Sequence, residues 1–139
     1  MNKIQDILHY FNLLIPHNPF IEWSRINYDL DKKYKEYGII DNLFGRNIKN
    51  SSRHFTGGAL GNKFYGEDIT NWLGKQKEKF DALRDNGKSW LNEDTSIDYL
   101  NNLRGINFSK QNPHLKRNNV YDEAIFQSIR NYNKDYPNK

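Results

Sequence analysis

Wherever apolar residues repeat along this 139-residue chain they repeat at helical spacing, and no pair of alternating runs meets across a short hairpin turn. That one property excludes a sheet-based architecture. In "KIQDILHYFNLL", Ile4, Ile7, Leu8, Phe11 and Leu14 share a face before Pro16 stops the pattern. "DLDKKYKEYG" opens on acids, continues with lysines and ends at Gly38, the charge order that a helix dipole favours, and "IIDNLF" adds a turn before Gly45. "EDITNWLGKQKEKFDALRD" carries Ile69, Trp72, Leu73, Phe80 and Leu83 on one repeat. "NEDTSIDYLNNLRG" reads as two or three turns, capped by Asp94 or Thr95 and stopped by Gly105. The last helix, "NVYDEAIFQSIRNY", starts at an Asn118 or Asn119 cap and turns Val120, Tyr121, Ala124, Ile125 and Ile129 inward. The expectation is an all-α fold, a compact irregular bundle of five or six helices forming a single domain over residues 1–139.

Between these segments the sequence predicts irregular chain. "PHNPFIEWSRINY" combines two prolines with large aromatics and no sustained period, so Phe20, Ile21 and Trp23 are expected to tuck against the helices from a loop. "INFSKQNPHLKR" reads as a linker, and "NKDYPNK" is expected to fray.

With no cysteine, there is no disulfide framework, thiolate metal site or cysteine nucleophile, and the fold must rest on packing. No apolar run reaches the roughly 18 residues of a membrane span. "MNKIQDILHYFNLLIP" also lacks the continuous apolar region and small-residue cleavage site of a signal peptide, so export is expected to use another route. Its helical face suits core packing better than a membrane, because Lys3 is its one basic residue. The net charge of +4 and pI near 9.2 permit an anionic partner, but Lys and Arg are interspersed with acids rather than gathered into a nucleic-acid arm.

The stretch "SSRHFTGGALGNKFYG" places Gly57, Gly58 and Gly61 in a segment that Ser51 or Ser52 can cap, that buries Phe55, Ala59 and Phe64, and that Gly66 ends. Each glycine costs a helix about 1 kcal/mol relative to alanine, a loss returned only by close approach of another backbone or of a ligand. The stretch does not read as a phosphate-binding loop, since no Gly-Lys-Ser/Thr ending, no Gly-x-Gly-x-x-Gly spacing and no leading hydrophobic strand occur.

Polar residues that can carry chemistry follow one another in three blocks. His54 lies among these glycines, Glu78 follows on the next helix, and "DYLNN" then offers Asp98, Asn101 and Asn102 at three- and four-residue spacing. Such a set suits acid–base hydrolysis, with Glu78 or Asp98 as acid or base and His54 as partner. It also suits a divalent cation, though no His-x-x-x-His spacing supports one, and no cofactor is expected. The alternative is that Asp98, Asn101 and Asn102 only cap and cross-link helices.

"RHFTGGALGNKFYG", "NWLGKQKE" and "DYLNNLRG" together resemble an uncharacterised all-helical domain found at the C-termini of bacterial polymorphic toxins and specialised-secretion effectors. The match runs through Arg53, His54, Ala59, Gly66, Leu73, Gly74, Glu78, Asp98, Asn101, Asn102 and Gly105, a family-like core over 51–105. Two positions depart: Lys77 stands where the family often has a second His, which argues against a metal centre, and Ile106 where an Arg often follows the glycine. The resemblance implies a toxin or effector made in the bacterial cytoplasm, exported by a specialised system, and partnered by an immunity protein or a secretion carrier.

The leading expectation is therefore an effector-like hydrolase of a polymeric, anionic substrate, with cell-wall peptidoglycan preferred. His54, Glu78 and Asp98 are its catalytic candidates, and Arg53, Asn101 and Asn102 its substrate-binding candidates. A nuclease or nucleic-acid-binding domain, suggested by the pI and by "KQNPHLKRNN", and a non-enzymatic phage or secretion-system adaptor are the alternatives.

Overall fold

The computed structural model describes residues 18–84 and 93–137, the side chains of 77–84 and 93–95 excepted. The described residues form α1 (Pro19–Glu36), α2 (Leu43–Tyr65), α3 (Glu67–Arg84), α4 (Glu93–Gln111), α5 (Arg117–Arg130) and α6 (Tyr132–Asp135), and contain no strand. The all-α bundle expected from the spacing is what the chain adopts. The N-terminal helix expected over residues 4–14 and the side chains of Phe80 and Leu83 lie outside the described residues.

Several boundaries differ from the sequence reading, some through local caps and some through tertiary packing. The segment read as irregular is the first half of α1, because Asn18 caps it by accepting from the Phe20 and Ile21 amides and Pro19 sits where a missing N–H costs nothing. Phe20 and Ile21 stay exposed on that turn, and only Trp23 turns toward the bundle. In α2 the cap is Asn42, which accepts from the Gly45 amide, so Ser51 and Ser52 fall mid-helix and buried. Gly105 does not stop α4, which continues to Gln111 and absorbs the first half of the expected linker. In α5 the N-cap is Lys116, without a side-chain bond, while Ile129, Ile69 and Trp72 are exposed. The chain through Tyr136 is tied down rather than frayed: Arg104 grips Asp135 with two bonds of 2.6 and 3.0 Å, and Tyr136 is buried within 3.2 Å of the Ser51 hydroxyl, while residues 138–139 lie outside the described residues.

Helix α2 is the shaft that the others surround. Against it α1 runs antiparallel, with Tyr34 bonded to Ser52, Arg53 paired with Asp31, and Trp23 over Gly57. In contrast α4 runs parallel to α2 at a nearly constant register, shown by Asn50 to Asp98, His54 to Asn102 and Asn62 to Ser109. Gly66, at φ 85°, turns the chain into α3, which leads back so that α4 can run parallel. The apolar core joins Ile26, Leu30 and Tyr34 of α1 to Ala59 and Leu60 of α2 and to Val120, Tyr121 and Ile125 of α5. Each large aliphatic or aromatic side chain buried there contributes roughly 1.5–3 kcal/mol.

The parallel pair is held at backbone distance by two glycines. A methyl group on Gly58 would run into the Asn102 carbonyl oxygen, and one on Gly105 into the Phe55 carbonyl oxygen. Close contact over the length of two helices therefore returns the cost that glycine imposes on each.

Gly58→Ala and Gly105→Ala are each expected to destabilise the protein by about 2 kcal/mol or more in urea unfolding, because backbone atoms cannot move aside as a flexible side chain does. Stability within 0.5 kcal/mol of wild type, on the scale of ordinary surface substitutions, would show that the helices are not seamed there. A second expectation concerns alkaline pH. Burial pushes the Tyr34 hydroxyl up to about 12 from an unfolded value near 10. Its stabilising contribution is complete below pH 10 and is lost as pH rises through 12, on the order of 2–3 kcal/mol. Tyr34→Phe should flatten the fall in stability between pH 10 and 12, and an unchanged slope would contradict it.

Candidate functional site

One turn before the glycine contact, α2 presents Asn50 and His54 four residues apart, and α4 presents Asp98 and Asn102 four residues apart. The parallel register sets the two pairs face to face. His54 Nε2 lies 3.3 Å from Asp98 Oδ2, and His54 Nδ1 lies 3.2 Å from Asn102 Oδ1. Asn50 donates its amide to the other carboxylate oxygen of Asp98, so each oxygen of Asp98 has a partner. The Trp23 ring stands 6.3 Å from the imidazole, centre to centre, and forms a wall from α1. From α3, Gly74 approaches the Asn102 amide so closely that a Cβ there would lie 3.2 Å from Nδ2.

Hydrogen-bond accounting limits what this cluster can do. Both ring nitrogens of His54 face oxygens, an arrangement that satisfies an imidazolium donating in both directions. Turning the Asn102 amide over satisfies the neutral ring equally, with Nε2–H donating to Asp98 and Nδ1 accepting. In either state His54 is clamped at both nitrogens. Its side chain is 6% exposed and that of Asp98 14%, so the carboxylate is the more open member of the pair.

The six residues singled out in the sequence separate in space. His54, Asp98 and Asn102 come together, whereas Arg53 turns the other way, donating to Asp31 at 3.2 Å with its guanidinium over the Tyr34 ring. Asn101 is buried on a different face of α4, where it donates to the Ile97 carbonyl at 3.0 Å and accepts from Arg104. Its surroundings are those of a structural cross-link to the C-terminus. Glu78 belongs to α3, one turn past Gly74, and its side chain lies outside the described residues. Asn50 was not foreseen, although its position four residues before His54 was the available signal. Among the described residues no cluster of three His, Asp or Glu side chains can hold a metal ion, and no helix is long and apolar enough to cross a membrane.

Comparison with family models, with curated proteins and with solved structures finds no match for this chain.

Removing the buried imidazole leaves Asp98 without one partner and opens a void, so His54→Ala is expected to cost 2–4 kcal/mol. Arg53→Ala, which breaks a partly exposed ion pair, is expected to cost less than about 1 kcal/mol. Thermal or urea unfolding of the two variants checks the order. Equal effects would mean that His54 is not clamped.

Proposed function

We propose that this protein is a small bacterial toxin- or effector-like hydrolase acting on a polymeric substrate, with peptidoglycan preferred, through His–carboxylate acid–base chemistry. The observation that carries the reading is the His54–Asp98 pair, drawn from two helices into a largely water-excluded crossing. Such a pair can hold a proton at a defined place and exchange it with a substrate, a contribution of roughly 10²–10⁴ in rate when the geometry is productive. Asp98 is the member that meets the substrate, because its side chain is the more open of the two. His54 acts from behind it, and Asn50 and Asn102 fix the orientation of the pair. Glu78 supplies the second carboxylate that hydrolysis of a glycosidic bond requires. The toxin and secretion context, including a partner immunity protein or carrier, comes from the resemblance over residues 53–105.

One observation favours a second reading, a non-enzymatic adaptor in which the cluster only locks two helices. Both His54 nitrogens are occupied inside the protein, which leaves neither free for a substrate.

Asp98→Asn separates the two, since it keeps the shape of the side chain and removes its charge. Bacterial growth is to be followed after induction of wild type and Asp98→Asn in the cytoplasm and, with an added signal peptide, in the periplasm. The hydrolase reading expects killing from the periplasm that Asp98→Asn abolishes while the variant remains folded by circular dichroism. Killing from the cytoplasm alone would move the reading to a nuclease. No killing from either compartment would leave the adaptor.

A further inference from the structure

Away from His54, a cleft of about 500 Å³ opens between α1 and the start of α5. Its walls carry five cations, Arg25, Lys32 and Lys33 from α1 and Lys116 and Arg117 from the α5 side, against two acids, Asp29 and Glu36. We propose that this cleft binds a phosphate-bearing anion.

Three of the cations are engaged by acids. Lys33 pairs with Asp122 at 3.1 Å, Arg117 with Glu22 at 2.7 Å, and Arg25 with Asp29 at a looser 3.8 Å. The other two are not. Lys32 lies over the Tyr28 ring, and Lys116 has no acid partner among the described residues. The charge of Asp29 is already shared, since it also accepts from the Tyr121 hydroxyl at 2.7 Å. Ammonium groups without an acid partner thus reach the cleft from both of its walls.

Two further features have the same sign. The Arg117 guanidinium is held by Glu22 and by the Tyr121 hydroxyl, which itself donates to Asp29, so its charge is fixed in this wall. The first turn of α5 contains no acid, and Lys116 bonds no backbone amide through its side chain. Cations at the positive end of a helix repel its dipole, and a bound anion reverses that cost. Phosphate matches the requirement because it accepts several charge-assisted bonds at once from ammonium, guanidinium and backbone donors.

The test is an NMR titration of the full chain with inorganic pyrophosphate and, separately, with a short single-stranded oligonucleotide, at two salt concentrations. The expected result is a saturable shift of the Lys116, Arg117 and Asn118 backbone amides with Kd below about 1 mM, weakened ~10-fold by Lys32→Glu and by Lys116→Glu. Both side chains are solvent-exposed, so the variants are expected to fold, which their unshifted spectra elsewhere will verify. Comparable affinities for the two probes support a free phosphate ligand. Tighter oligonucleotide binding with a steep salt dependence supports a phosphodiester. No saturable shift up to ~10 mM of either probe, or a shift that neither substitution alters, overturns the proposal.

Discussion

The closeness of α2 and α4 is the constraint on which the rest of the molecule depends. Parallel helices cannot be joined by a tight turn, so a third helix must return the chain between them, and α3 does so. Gly58 and Gly105 then remove the side chains that would hold the pair apart, and the backbones meet at carbonyl oxygens. Small residues at a crossing provide no apolar area of their own. They allow many weak contacts along two helices to form together, and they set the register that places every neighbouring side chain.

The polar cluster is a consequence of that register. One turn from the glycine contact, the gap admits an imidazole, a carboxylate and two amides but little water. Polar groups confined in this way must satisfy one another, and the four residues do so almost completely. A satisfied network both fixes the helix pairing and holds a proton-bearing pair in a defined geometry. The stability of the helix pairing and the chemistry proposed for it therefore rest on the same four side chains, among which Asp98 is more open than His54.

The fold class was legible because helical spacing is a local property, repeated in most of the segments that form helices. Helix ends were less legible, because glycine and proline have local meanings that packing can reverse. Gly105 reads as a stop in isolation and is a contact surface beneath α2 in the bundle. The prolines before Trp23 read as breakers, yet Pro19 occupies the one turn of α1 that tolerates it. The same distinction applies to the site. His54, Asp98 and Asn102 could be grouped from spacing, because each lies on a helical face that periodicity defines. Arg53 and Asn101 are each adjacent in sequence to a member of the cluster, but one step along a helix is a rotation of about 100°, and both residues serve other contacts. Asn50 was missed since its spacing to His54 places it on the right helical face without revealing its partner Asp98, 48 residues away.

The most direct test of this account is the exchange rate of the His54 ring N–H protons, measured by long-range proton–nitrogen NMR in wild type and in a folded Gly58→Ala protein. A clamped imidazole predicts a ring N–H protected from exchange in wild type. A forced separation of α2 and α4 predicts that Gly58→Ala accelerates that exchange by ~10-fold or more, the signature of a local opening made about 1.4 kcal/mol easier. A ring proton that exchanges freely in wild type, or one whose protection Gly58→Ala leaves unchanged, would contradict the claim that the glycine contact builds the site.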